Sequence, residues 1–499
     1  MADRSTCRHA TSRSPSADTG LRPGMPPCAE PQPRPRAGHD STRSTNMTIR
    51  RTFTKLAAIG AASALLAACG GSGDGTSAGA DGRENIEMWF WGATPNQRAA
   101  LEENLIDAYN ESQDEFTLTV TFNERVDSNV QTALSAGEGP DIVYGSGPSF
   151  VSPYAQAGKL VDLDDYSEEY GWQDRILPPI YESGTVDGSL YAVANSINTV
   201  GVFYNTAVLD ELGVAVPTDL ASFEKALAAA KDAGLYPSVT GNKGWQPVNE
   251  NYASMFLTAV AGPDALYKAL TGEKPWTDDA FVDAVAMSAE WYQNGYLGGG
   301  QYTNLNFLES MQLLADGQSP FFIGPTLAFQ FAAEFFNEDA GNVEDLGFMP
   351  FPTAGEGLDS PLFTLGTTAS FSINAASKHP DAAAAVIDMM MTEDFMTEMS
   401  GVWPGYWAVP LVGVELDPSS YDGLSVAFAE AINEIMPAVE DGRFGYFTGT
   451  FFPPQTQQAL VDIDTVWAGK VDADSFMEGV EQTFAKEFEA GAVPPIPAP

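Results

Sequence analysis

The chain has 499 residues and combines 67 acidic with only 24 basic side chains, which gives a formal net charge of −43 at pH 7. This acidic balance argues against nucleic acid and against an anionic membrane patch as partners, because both are polyanions. A chain of this length predicts two or more lobes with hydrophobic cores of their own.

Residues 47–68 have the organisation of a secretory signal peptide. A basic start with Arg50, Arg51 and Lys55 precedes an uncharged apolar run. This run of 13 residues is too short for a membrane span, which takes about 20 residues. It ends in Leu-Ala-Ala-Cys, which resembles the lipobox of bacterial lipoproteins. The resemblance implies cleavage before Cys69 and lipidation of that cysteine, which then anchors the protein.

The residues on either side of this signal lack the periodicity of folded structure. We interpret residues 1–46, rich in Arg, Ser, Pro and Thr, as a disordered segment or a mis-assigned start, with Met47 as the initiator. Residues 69–83 are rich in glycine and predict a flexible, lipid-anchored tether.

The chain after residue 68 retains one cysteine and one histidine. This count excludes an internal disulfide and a His/Cys metal site. We expect no cofactor and no metal, although an oxygen-only calcium site remains open.

Alternating strand and helix patterns follow the tether. The apolar run 86–91 predicts a strand, and residues 94–97 (Thr-Pro-Asn-Gln) have the pattern of a helix start with a capping box. Residues 116–122 alternate between apolar residues and threonine, which is typical of a strand. A predicted helix then leads to a buried strand over 140–144. This order predicts an α/β lobe with a mostly parallel sheet.

The alternation continues through the rest of the chain. Segments typical of strands or helices occur at 188–193, 200–205, 217–234, 317–325, 347–352, 369–373 and 380–388. Two aromatic-rich loops, at 403–407 and 451–454, precede amphipathic helices at the C-terminal end.

Seven stretches in this order resemble the extracellular solute-binding proteins of ABC sugar importers (family 1, the maltodextrin-binding-like group). They are IEMWFWG, LSAGEGPDIVYGSG, AQAGKLVDLDDY, GSLYAVANSINTVGVFYNTAVLDELG, VPTDLASFEKALAAAK, FMPFPTAGEG and SFSINAASKHPDAAAAVIDMM. They span most of residues 84–499, and as an ordered set with a lipobox they are specific.

The resemblance implies a periplasmic-binding-protein-like fold. Two lobes, each a mostly parallel sheet flanked by helices, would close over a ligand. On this analogy three hinge crossings fall near 194–197, 323–327 and 374–378. The expected first and second lobes comprise, respectively, 84–194 with 327–375 and 195–326 with 376–499.

Sugars have apolar C–H faces and hydroxyl edges, so a sugar site needs aromatic platforms and short polar groups. In the first lobe the candidates are Trp91, Glu124, Tyr144 and Ser146. Each lies at or just past the end of a predicted strand, where open α/β sheets place their ligands.

The remaining candidates lie further along the chain. They are Trp245, Tyr252, Trp403, Tyr406, Trp407 and Arg443, the last as a polar clamp. The resemblance places Tyr252 where the maltodextrin binder has a sugar-stacking tyrosine. For every aromatic residue, core packing is an equally good interpretation. The three rings of the WPGYW loop (residues 403–407) fit core packing least, because we expect that loop at the surface.

One departure from the family pattern bears on the ligand. Where the maltodextrin binder has a tryptophan and then an acid, this chain has Gly-Ser-Gly-Pro at 145–148. Maltodextrin is therefore not assigned. A di- or oligosaccharide is expected, and a monosaccharide remains open.

The leading hypothesis is a monomeric substrate-binding lipoprotein without catalytic activity. It would capture a sugar on the outer face of the cytoplasmic membrane and deliver it to the permease subunits of an ABC importer. One alternative is a binder of a non-sugar solute, such as a peptide or an osmolyte. Another is an anchored glycoside hydrolase, which would need two facing carboxylates. A serine hydrolase is disfavoured, because His379 lies at a predicted surface helix start.

The anchor has a direct test. Replacement of the cysteine in Cys69→Ala removes the only thiol that would remain after the expected cleavage, so we expect release of the protein into the medium. Cell fractionation measures this. Continued membrane association of the variant would contradict the anchor.

Overall fold

The computed structural model describes residues 82–243, 247–298 and 302–499. The strands in these ranges are β1 (Glu84–Trp91), β2 (Phe116–Asn123), β3 (Ile142–Gly145), β4 (Thr185–Val186), β5 (Ser189–Leu190), β6 (Val193–Ala194), β7 (Ile197–Asn198), β8 (Val200–Asn205), β9 (Phe321–Pro325), β10 (Leu346–Pro350), β11 (Phe363–Thr367), β12 (Ser370–Ile373) and β13 (Phe444–Tyr446).

Helices connect the strands. They are α1 (Pro95–Leu101), α2 (Ala108–Ser112), α3 (Val126–Ala136), α4 (Pro148–Gln156), α5 (Asp164–Tyr170), α6 (Trp172–Arg175), α7 (Pro178–Ser183), α8 (Thr206–Leu212), α9 (Leu220–Asp232), α10 (Pro247–Phe256), α11 (Pro263–Leu270), α12 (Asp279–Gln293), α13 (Phe307–Ala315), α14 (Phe329–Ala332), α15 (Pro380–Met390), α16 (Glu393–Val402), α17 (Leu424–Glu440), α18 (Thr448–Phe451), α19 (Pro454–Val461), α20 (Asp464–Trp467) and α21 (Ala473–Glu489). In the described part of the chain no helix combines the length and the apolar character needed to cross a membrane.

The first sheet has the strand order β2-β1-β3-β12-β6. Strands β2, β1 and β3 are parallel, whereas β12 runs antiparallel to both β3 and β6. The predicted capping box is confirmed. The Thr94 side chain accepts a hydrogen bond from the Gln97 backbone N–H, and the Gln97 side chain accepts one from the Thr94 backbone N–H. This cap starts α1 directly after β1 and so terminates the strand beside Trp91.

Two three-stranded sheets form the other half of the fold, in the orders β10-β8-β9 and β13-β11-β7. Strand β8 is antiparallel to both of its neighbours, so this sheet differs from the mostly parallel sheet expected in the second lobe. An apolar strand has the same sequence pattern whether it pairs parallel or antiparallel with its neighbours. Here the direction follows from pairing with residues more than 100 positions away, which local patterns do not encode.

The chain crosses between these halves at three places. The first runs from β6 to β7. The second runs from β11 to β12, and the third lies between residue 412, which bonds to Arg175, and residue 416, which bonds to Asn433. We refer to 84–194 with 369–412 as the first lobe, and to 197–367 with 416–499 as the second lobe.

This division differs from the predicted one at the later two crossings. Residues 374 and 375 donate to the backbone of Asp141 and Lys159, so the chain stays in the first lobe at 374–378. The ring of Phe329 packs on Phe203 at 4.8 Å, so the chain stays in the second lobe after 327. The boundaries carried over from the family order therefore missed where strand pairing changes partner. In particular, β10 pairs with β8 and not with the first sheet.

The side chain of Phe90 is the centre of the first lobe. It is fully buried, and seven aromatic rings surround it at centroid distances of 5.6–6.4 Å. They belong to Trp91, Phe122, Tyr144, Phe371, Trp403, Tyr406 and Trp407. The cluster joins four strands of the first sheet to the loop that follows α16.

We expect Phe90→Ala to lower the free energy of unfolding by about 3–5 kcal/mol, because it leaves a cavity among rings that cannot collapse. Denaturant unfolding followed by circular dichroism measures the loss. The matched control is Phe488→Ala, whose ring is 45% exposed and should cost clearly less. Equal losses for the two variants would contradict the central role of Phe90.

Candidate functional site

The carboxyl ends of four strands meet at one edge of the first sheet, which we call the carboxyl edge. The register pairs Trp91 with Asn123, and Ser370 with both Gly145 and Ala194. The ends of β1, β2, β3 and β6 therefore lie side by side, together with the start of β12. Ligands of open α/β sheets bind outside this end of the strands.

Five of the predicted aromatic residues gather at the carboxyl edge: Trp91, Tyr144, Trp403, Tyr406 and Trp407. The rings of Trp403 and Tyr406 stack at 4.8 Å, and Trp91 lies 5.8 Å from Tyr406. Trp91 is only partly buried, whereas the other four are at most 7% exposed. The edge thus presents the Trp91 ring, supported from behind by buried aromatic residues.

The WPGYW loop is buried, whereas the sequence analysis expected it at the surface. Gly405 explains the close fit, because its φ of +90° suits glycine. A Cβ at this position would lie 2.9 Å from the Phe329 Cβ and 3.0 Å from the Thr326 carbonyl oxygen. The backbone therefore approaches the second lobe closely and turns the three rings inward.

The two tyrosine hydroxyls of this cluster are neutral at physiological pH. Burial raises the pKa of Tyr144 and of Tyr406 above the ordinary tyrosine value. The neighbouring Tyr144 raises the pKa of Tyr406 further. Both hydroxyls are therefore neutral donors and acceptors, which suits an uncharged polar ligand better than an ion.

Several buried polar atoms at the edge and on the crossings beside it have no hydrogen-bond partner among the described residues. They are both amide atoms of Asn195 and the hydroxyls of Thr199 and Thr367. A buried polar group without a partner costs about 1–3 kcal/mol. Because native proteins rarely keep such groups without a reason, this concentration marks a place where a ligand would supply the missing bonds.

The second lobe closes on this edge through small residues and amides. A Cβ on Gly147 would lie 2.6 Å from the Thr367 hydroxyl, and the Ser149 hydroxyl is 3.5 Å from the Gly449 carbonyl oxygen. Gln330 accepts from Gln97 of the first lobe at 3.0 Å. The lobes are therefore in contact around the site.

Glu250 on α10 is a half-buried carboxylate in this region. It accepts from Gln457 Nε2 at 2.6 Å, and a Cβ on Gly449 would lie 2.4 Å from its Oε1. Burial raises its pKa, and hydrogen bonds from Gln457 and Thr448 offset part of that effect. This carboxylate has no ion-pair partner among the described residues, and it can accept hydrogen bonds from hydroxyl groups.

The sequence analysis missed Asn195, Thr367 and Glu250. The available signal was weak: Asn195 lies between two short strands, and Glu250 is one of several polar residues in α10. Acids are so frequent in this chain that type alone does not single one out.

Other predicted residues lie apart from the aromatic cluster. Tyr252 is 1% exposed and packs at 5.7 Å on Trp467 inside the second lobe. Arg443 pairs with Asp441 at 3.2 Å. Glu124 and Ser146 are exposed at the carboxyl edge. Trp245 and Cys69 fall outside the described residues, so their roles stay predictions.

A model of the family described as bacterial extracellular solute-binding protein matches residues 104–419. The chain belongs to this family. Two relatives, each described as a probable sugar-binding periplasmic protein, come from Brucella melitensis biotype 1 and Mesorhizobium japonicum. The Brucella protein is 26% identical over 226 residues, which cover 44% of this chain and 51% of that protein. The Mesorhizobium protein is 28% identical over 141 residues, which cover 28% of this chain and 32% of that protein.

This solute-binding protein thus spans about half the length, or less, of the curated relatives it matches. Solved structures match far more of it. A chitin oligosaccharide binding protein has a TM-score of 0.67 at 20% identity, covering 81% of this chain and 98% of that one. Maltose-bound T. maritima MalE3 has a TM-score of 0.65 at 16% identity, with coverage of 81% and 99%. RafE in complex with raffinose has a TM-score of 0.62 at 18% identity, also with 81% and 99%. The fold is that of the two-lobe periplasmic solute-binding proteins.

The raised pKa of Glu250 has a consequence for stability. The folded state binds the proton more tightly than the unfolded state, so stability falls as the pH rises through the folded-state pKa. Glu250→Gln removes the buried charge. We expect it to raise the free energy of unfolding at pH 7, with an advantage that shrinks as the pH falls towards the ordinary value of 4.5.

Denaturant unfolding at several pH values measures this difference. The control Glu398→Gln replaces an exposed acid and should change stability by less than about 0.5 kcal/mol. Destabilisation by Glu250→Gln at pH 7 would show that the carboxylate is required by the fold.

Proposed function

We propose that this protein is the substrate-binding lipoprotein of an ABC importer and captures a sugar between its two lobes. The observation that carries the proposal is the carboxyl edge of the first sheet. There, aromatic rings lie beside buried polar atoms that lack partners among the described residues. A sugar requires this combination, because each ring of a sugar has apolar faces and a hydroxyl rim.

Each group at the edge has a role in this proposal. The partly buried ring of Trp91 offers an apolar platform for one sugar face. The amide of Asn195 and the hydroxyl of Thr367 each donate to and accept from sugar hydroxyls. Glu250 accepts from hydroxyls on the side of the second lobe. None of these groups is cationic, which suits a neutral ligand.

The comparisons support the same proposal. The curated relatives are described as sugar-binding, and the structural neighbours include binders of chitin oligosaccharide, maltose and raffinose. We extend this chemistry to the present chain and propose binding without catalysis. Closure over the sugar would favour the form that the permease recognises. Lipidation of Cys69 would keep that form at the membrane.

A thermal-shift screen of residues 84–499 against mono-, di- and oligosaccharides tests the proposal. A sugar at 100 times its Kd should stabilise the protein by about 2.7 kcal/mol, which is readily visible as a rise in Tm. The sugar should be recovered unchanged. Cleavage of the sugar would indicate a hydrolase, and no shift with any sugar would contradict the proposal.

Two threonines on β11 give a matched pair of variants. The hydroxyl of Thr367 has no partner among the described residues, whereas that of Thr364 bonds to Thr258 at 3.3 Å. We expect Thr367→Val to preserve or raise the Tm of the free protein and to reduce the sugar-induced shift.

Thr364→Val should instead lower the Tm, because it leaves the Thr258 hydroxyl without a partner, which costs about 1–3 kcal/mol. It should keep the sugar-induced shift. An unchanged shift in Thr367→Val would remove Thr367 from the proposed site.

A further inference from the structure

A groove between α3 and α4 lies on the first lobe, and at Ser149 it borders the contact with the second lobe. Its volume is about 510 Å³, within the range of about 300–1,000 Å³ that is typical of ligand pockets. Its walls include Asp127, Gln131 and Ser135 from α3, and Ser149, Phe150 and Tyr154 from α4.

The two walls differ in chemistry. On α4, the half-buried rings of Phe150 and Tyr154 lie 5.2 Å apart and form an aromatic wall. On α3, exposed amide, hydroxyl and carboxylate groups face solvent along the groove. Aromatic faces opposite short polar side chains are the same combination that the proposed sugar site offers.

Asp127 is notable among the polar groups. Although the residue as a whole is exposed, partial burial of its carboxylate raises its pKa. Among the described residues it has neither an ion-pair partner nor a hydrogen-bond donor. The carboxylate is therefore free to accept hydroxyl hydrogens.

The groove begins at the carboxyl edge. Helix α3 starts just after β2 ends, and α4 starts just after β3 ends, so both helices begin at this edge. The charge of Asp127 adds to the larger effect of burial in raising the pKa of Tyr144 and Tyr406, so this carboxylate interacts with the aromatic cluster. From Asp127 to Ser135 the helix rises about 12 Å, at about 1.5 Å per residue.

We propose that this groove holds the outer sugar units of a ligand that extends from the interlobe site, so that the substrate is an oligosaccharide of three or more units. The inference rests on the proposed function and deepens it. Inner units lie between the lobes, and outer units lie along α4 against Tyr154 with their hydroxyls towards Asp127 and Gln131.

Calorimetric titration of the intact protein tests the length requirement. The probes are the chito-, malto- and xylo-oligosaccharide series from two to five units. In the series that binds, Kd should fall at least about tenfold between two and four units, which corresponds to about 1.4 kcal/mol. In Tyr154→Ala the Kd values for two and four units should become equal within about twofold. Gln131→Ala, at an exposed position, should lose part of the gain in affinity with length.

The matched control is Tyr170→Ala, which removes another half-buried tyrosine of the first lobe that stacks on Trp172 away from the groove. It should keep the full gain with length. Equal binding of two and four units by the wild-type protein would overturn the proposal that the groove binds sugar units, and so would a Tyr154→Ala variant that keeps the gain in affinity. Either result would leave sugar binding between the lobes intact. Failure of every saccharide to bind would overturn both.

Discussion

The packing of aromatic rings around Phe90 is the interaction on which the rest of the structure depends. This one buried side chain contacts rings from β1, β2, β3 and β12, and from the loop after α16. It therefore fixes the carboxyl edge of the first sheet and brings Trp91 to its surface. A ligand platform needs such rigid support, because misplacement by even an ångström weakens a site.

Around this rigid support the protein keeps polar groups that its own fold does not satisfy. Asn195 and Thr367 lie on the crossings between the lobes, and their buried atoms lack partners within the described chain. The half-buried carboxylate of Glu250 lies on the side of the second lobe. Groups of this kind lower the stability of the free protein and raise the gain on binding, because a ligand that supplies their bonds removes the penalty. Stability and affinity therefore oppose each other at these positions.

Local patterns predicted the first strands and helices of the first lobe, and long-range contacts decided the rest. The capping box at Thr94 and the alternation of β2 are properties of neighbouring residues, so the sequence contains them directly. The rule on strand ends likewise brought Trp91 and Tyr144 to the same edge. By contrast, Tyr252 lies in the core of the second lobe, and β10 joins β8. Both depend on residues far away in the chain, as does the burial of the WPGYW loop by Gly405 against Phe329.

The most direct test of the account is a crystal structure of the protein with its best-binding saccharide. We expect a sugar ring on Trp91, with sugar hydroxyls within hydrogen-bond distance of the Asn195 amide and the Thr367 hydroxyl. These atoms have no partners among the described residues, so each should gain a bond. A saccharide bound elsewhere, or one at this edge that leaves both residues without a new partner, would contradict the account.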